Sequence, residues 1–176
     1  RILERLRERL HAFQKAAVYK PTGAMNRSRT SVQTPLLDQC SEDLTTQAVQ
    51  GGTTMLLGRE QEMEDLLRTI EGGRQSVLLV GQSGVGKTAL IHGLADRMVE
   101  ERVPEILQDK RLVSISIPHL IAGASPAEAQ ERLMGVLVDV VQSRNIVLVF
   151  ENIEQITGMS PGGEQTADLA SLLVDF

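Results

Sequence analysis

"SVLLVGQSGVGKTALIHGLADRM", Ser76 to Met98, decides how the rest of the chain is read. Its first five residues, four of them apolar, are β-rich and bounded by turn residues, which predicts a buried strand over Ser76–Val80. From Lys87 to about Glu101 the pattern is helical. Between the two, Gly81, Gly86, Lys87 and Thr88 match G-x-x-x-x-G-K-[ST]. Gly81, Gly84 and Gly86 open backbone angles closed to other residues, so the loop's N–H groups can turn inward. The helix that follows adds its positive dipole end. A strand, a glycine loop and a helix in this order make a phosphate cradle. Lys87 neutralises β/γ-phosphate charge and Thr88 offers a hydroxyl to Mg²⁺. The candidate nucleotide-binding stretch is therefore Gly81 to Ala89, with Gln82, Ser83, Val85 and Ala89 contributing alongside the glycines.

Working outward, "RLVSISI" (Arg111–Ile117) and "IVLVF" (Ile146–Phe150) read as further strands. Helices are expected over Asp38 to about Gln50, Glu60 to about Ile70 and Ala127 to about Ser143. The last is opened by Ser125-Pro126, a good N-cap and first-turn pair. Thr166–Phe176 also looks helical. Strands alternating with helices predict an α/β fold: a parallel sheet covered on both faces, the three-layer P-loop NTPase plan.

"IVLVFENIEQ" (Ile146–Gln155) ends its strand on Glu151, where a P-loop protein needs a carboxylate to position Mg²⁺. Glu is one methylene longer than the usual Asp, and the metal role remains open to it. The next residue ordinarily polarises the attacking water. Asn152 stands there, and a neutral amide cannot act as a base. Loss of a positioned base costs roughly 10²–10⁴ in rate. Glu154 is an alternative base, or else a solvated loop acid.

The chain has 176 residues, 41% hydrophobic and 23% charged, enough for one globular domain and an appendage. Residues 1–30 hold eight Lys/Arg against two acids, a local balance of +6; the total is −5, so −11 falls on the rest. That total does not suggest a nucleic-acid binder. One cysteine, Cys40, excludes an internal disulfide and fits a reducing compartment, read as cytoplasmic. No apolar run reaches the roughly 18 residues of a membrane span. Residues 1–19 place Leu3, Leu6, Leu10, Phe13 and Ala17 at spacings of 3, 4, 3 and 4, an amphipathic basic helix. Docking on another surface is the first reading of it; lying on a membrane is a lesser one. Residues 20–33 read as a linker, and residues 34–176 as the nucleotide-binding domain.

Several segments together resemble the first ATPase module of the Clp-family AAA+ unfoldases. They are "TPLLDQCSEDLT" (Thr34–Thr45), "LLGREQEMEDLL" (Leu56–Leu67), "VLLVGQSGVGKTALIHGLADRM" (Val77–Met98), "VPEILQDKRLVSISI" (Val103–Ile117), "LIAGA" (Leu120–Ala124) and "QERLMGVL" (Gln130–Leu137). The resemblance implies ATP and Mg²⁺ as ligands, a homo-hexameric ring, protein substrates and, in some members, a protease partner. It places Gly58-Arg59 in the loop beside the adenine, which makes Leu56 and Leu57 candidates for the base slot, with ordinary core as the alternative. It also marks departures. Glu151-Asn152 replaces the family's Asp-Glu, and Gly123–Leu133, "GASPAEAQERL", lacks the aromatic that grips substrate in the family's pore loop. The family's sheet order, 5-1-4-3-2, puts a fourth strand between the first and third, and no segment up to Phe176 supplies it. The expectation is a partial module that is poorly stable alone. The readings carried forward are an ATP-holding module slowed at Asn152, an active ATPase using Glu154 or a later residue, and a non-hydrolysing scaffold.

Overall fold

The computed structural model describes residues 34–73 and 76–153. The expected helices over 1–19 and 166–176, the linker over 20–33, and Glu154 lie outside these residues. Among the described residues the chain divides into two compact units, one drawn from residues 44–110 and the other from residues 34–43 with 111–153.

The first unit is helical among its described residues. It contains Leu44–Gln50 (α2), Glu60–Gly72 (α3) and Lys87–Val99 (α4), the first two packing on the third. The apolar spacing of α3 explains the packing: Met63, Leu66 and Leu67 fall on one face and are buried. In α4 the buried face is Gly93, Leu94, Ala95 and Met98. The strand expected over Ser76–Val80 is not formed. This segment pairs with nothing among the described residues, and Val77, Leu78 and Val80 are 37%, 68% and 85% exposed. A strand's backbone hydrogen bonds come from its neighbours, so an apolar run without a described neighbour neither pairs nor buries its side chains.

The second unit holds a three-stranded sheet in the order β1 (Ser41–Asp43), β2 (Arg111–Ser116), β3 (Ile146–Glu151). β2 and β3 are parallel, with Arg111 opposite Ile146 and Ser116 opposite Glu151. β1 runs antiparallel to β2, with Ser41 opposite Ile115. The sheet is thus mixed rather than wholly parallel. The single helix expected over Asp38–Gln50 is broken by β1 into Pro35–Cys40 (α1) and Leu44–Gln50. Backbone pairing with residues 113–115, some 70 positions on, outweighs local helix preference there. β2 is buried at its four central residues, whereas every residue of β3 is only half-buried, because among the described residues β3 is an edge strand.

After β2 comes the short helix Ile117–Ile121 (α5), and helix Pro126–Ser143 (α6) covers this sheet. Leu133, Val136 and Leu137 join Val113, Ile115 and Leu37 in one core, with Leu148 and Phe150 packed against it. Its start is closed by a capping box: the Ser125 backbone N–H donates to Glu128 Oε2 (2.7 Å), and the Glu128 N–H donates to Ser125 Oγ (3.4 Å). These contacts hold the Glu128 carboxyl below the usual range, the Ser125 backbone N–H being the larger cause and its hydroxyl the next. The stretch Gly123–Leu133 is therefore mostly the opening of a helix. Asp139 of α6 accepts from the backbone N–H groups of Leu36 and Leu37 (3.0 and 3.1 Å), which anchors the start of α1. Arg111 donates to Asp43 Oδ2 (2.9 Å) and Asp38 Oδ1 (3.3 Å), tying α1 and β1 to β2.

Candidate functional site

The glycine loop lies in the first unit, at the start of α4. Gly84 and Gly86 have φ of +80° and +97°, a region where a side chain would strain the backbone. Gly86 is the N-cap of α4 and no side chain caps that end. Gly81 differs: its φ is not left-handed, but a Cβ there would lie 3.0 Å from Val85 Cγ2, a tight contact that Val85 would have to shift to relieve. Residues Gly81–Gly86 and Thr88 are exposed, Lys87 and Ala89 half-buried. The Lys87 ammonium donates to the carbonyls of Gly81 (2.7 Å) and Gln82 (3.0 Å). It is thereby curled over the mouth of the loop. An open loop of donors, a lysine at its lip and an uncapped helix start form a cradle that fits a phosphate group.

The loop that precedes α3 is fastened to this unit at several points. The Arg59 guanidinium donates to the Val85 carbonyl (2.8 Å) and to Glu62 Oε1 (2.9 Å). The Glu62 carboxyl is held below its usual range, first by its own backbone N–H and then by Arg59. Leu56 is half-buried against Gly93, where an added Cβ would lie 2.7 Å from Leu56 Cδ2 and 3.0 Å from its Cβ. Leu57 beside it is 49% exposed and so is not ordinary core.

Glu151 and Asn152 belong to the second unit. The Glu151 carboxylate is half-buried at the end of β3, and Oε1 accepts from the buried Ser114 hydroxyl (3.2 Å) on β2. Asn152 follows at φ +55°, a left-handed conformation. Asn tolerates this region better than most residues because its short amide can bond locally. The structure thus gathers the glycine loop, Lys87, Thr88, Leu56 and Leu57 into one unit, and sets Glu151 and Asn152 at one strand end in the other.

Sequence reasoning did not single out Ser114, His92 or Asp96. Ser114 left a trace as a hydroxyl inside the apolar run "RLVSISI". His92 and Asp96 left none, since polar residues in a helix ordinarily face water.

A profile of the AAA ATPase domain matches residues 55–112. The chain is 32% identical over 147 residues to the chaperone protein ClpB of Oceanobacillus iheyensis, covering 82% of this chain and 18% of that protein. It is 32% identical over 167 residues to the ATP-dependent Clp protease ATP-binding subunit ClpC of Staphylococcus epidermidis, covering 90% and 20%. Among solved structures, the extended Saccharomyces cerevisiae Hsp104:casein complex superposes with a TM-score of 0.67 at 33% identity, over 80% of this chain and 24% of that one. The chain therefore spans about a fifth of the length of these relatives. With the glycine loop, the Gly58-Arg59 loop and the mixed sheet in place, the chain belongs to the Clp family as part of an AAA+ ATPase module.

Proposed function

We propose that this module binds ATP with Mg²⁺ and holds it longer than an active ATPase would, within a Clp-type protein-remodelling ring. The observation that carries the reading is the pairing of a well-formed phosphate cradle with an amide at position 152. Gly81–Ala89 embrace the phosphates, Lys87 offsets their charge, and Leu56 and Leu57 flank the base. Thr88 and Glu151 are assigned to hold the metal, which would supply positive charge against that of the phosphates. The Ser114 hydroxyl supports that assignment by fixing one carboxylate oxygen of Glu151. Asn152 has no proton-accepting function at ordinary pH and removes the expected base. A homo-hexameric assembly, protein substrates and a protease partner are parts of the same proposal, as is a cytoplasmic setting. Among the described residues no helix is long and apolar enough to cross a membrane.

Single-turnover hydrolysis in the full-length protein, with any second ATPase module disabled, tests this. Asn152→Glu should raise the rate. Because φ is +55° here, Glu carries a backbone cost of about 1 kcal/mol, and Asn152→Asp, better tolerated in that region, is the companion variant. A rate that rises in neither variant would overturn the account of Asn152. Wild-type hydrolysis at an ordinary AAA+ rate would favour the active reading, with Glu154 or a later residue as base.

A further inference from the structure

The loop from Gly51 to Arg59 is clipped to the helix that begins at the phosphate loop. The Thr53 hydroxyl donates to Asp96 Oδ1 (2.6 Å). The Thr54 backbone N–H donates to His92 Nδ1 (3.0 Å). Leu56 packs on Gly93 between them, and Arg59 ties the far end to the Val85 carbonyl. Gly51 and Gly58 flank the clip at φ of +78° and +68°, so the loop turns sharply at both ends and is pinned between. His92 and Asp96 lie five and nine residues beyond Lys87 on one continuous helix. At 1.5 Å per residue that is about 8 and 14 Å from the phosphate end.

We infer that His92 and Asp96 are positioning residues for base recognition. They fix the loop bearing Leu56 and Leu57 to the same rigid rod that carries Lys87, and so set the distance between base slot and phosphate cradle. The inference rests on the nucleotide-binding reading above. Since the Thr54 N–H is a donor, Nδ1 must accept, which puts the imidazole proton on Nε2. The clip turns Leu56 inward onto Gly93 and leaves Leu57 outward. Without it, the loop would swing on its two glycines, and the phosphates would still bind while the base lost a defined slot.

The test is nucleotide titration of the full-length protein with ADP and GDP. His92→Asn keeps an acceptor at the Nδ1 position, because Asn Oδ1 hangs from the same Cγ, and Asp96→Asn keeps an acceptor for Thr53. Both should stay near wild type. His92→Gln shifts its acceptor one carbon further from the backbone, away from the Nδ1 position, and Asp96→Ala removes the acceptor for Thr53. Each should weaken ADP about five- to tenfold, leave GDP unchanged, and so erode the preference for adenine. ADP affinity unchanged in His92→Gln and Asp96→Ala would overturn the clip, as would an equal loss of ADP and GDP, which would mark a general packing role. Failure of the two Asn variants to retain ADP affinity would overturn it also. Wild-type protein that binds neither nucleotide would overturn the nucleotide reading itself.

Discussion

The helices Lys87–Val99 and Pro126–Ser143 are alike in their middles and opposite at their starts. Each carries an interior glycine that lets a leucine come close. A Cβ on Gly93 would sit 2.7 Å from Leu56, and one on Gly135 2.5 Å from Leu36. Glycine inside a helix costs about 1 kcal/mol against alanine, so close approach offsets a local penalty in both. At the starts they part. Pro126–Ser143 satisfies its own first N–H groups through Ser125 and Glu128. Lys87–Val99 begins at a left-handed glycine with no side-chain cap. A helix that only supports a sheet closes its end, whereas one left open keeps donors for an anion.

The sharpest way to break the comparison is at the open start. Lys87→Ala should weaken ATP binding roughly 10- to 100-fold, the range of a lost charge-assisted hydrogen bond, read by nucleotide titration. No loss would mean that the open end is not an anion site.

The middles come next, and they should not respond equally. Gly93→Ala meets Leu56 at both Cδ2 and Cβ and also Met63 Cε at 3.2 Å, so the loop backbone must move. It should destabilise by about 1–3 kcal/mol in thermal or denaturant unfolding. Gly135→Ala meets chiefly the tip of Leu36, which is 46% exposed and can rotate towards water. The gain in helix propensity then offsets the clash, leaving a net change within about 1 kcal/mol. Equal losses in the two variants would sink this distinction.

The closed start gives smaller effects. Ser125→Ala should cost about 1 kcal/mol of stability without altering nucleotide affinity. Smaller still is a pH effect. The Glu128 carboxyl is held below its usual range in the fold. Its contribution is therefore full above the ordinary carboxylate range and fades as pH falls through the folded value. Glu128→Gln should make stability less sensitive to acid than wild type, measured as melting temperature against pH. A steeper acid loss in the variant would reverse the sign argued here.

Much of the site was legible in the sequence because it is local. The spacing of Gly81, Gly86, Lys87 and Thr88 fixes a turn and a helix start within eight residues, and backbone geometry does the rest. The same holds for Ser125-Pro126 with Glu128, where the cap and its partner are three residues apart. Non-local features were not legible. "SVLLV" has a strand's composition, yet no neighbour among the described residues completes it, while "SED", with little strand character, becomes β1 by pairing with β2. His92 and Asp96 look like ordinary polar helix residues until Thr54 and Thr53, about 40 positions away in sequence, are brought against them.

Sequence by itself determined the glycine turn and the helix start after it, the helices Glu60–Gly72, Lys87–Val99 and Pro126–Ser143, and the family, and it set Glu151-Asn152 at a strand end. Only tertiary structure decided which apolar runs became strands, which glycines receive a leucine, and which polar side chains hold the loop beside the cradle. The physical reason is that turns, caps and helices satisfy their hydrogen bonds among near neighbours. Strands and clips depend on groups that only folding brings within reach.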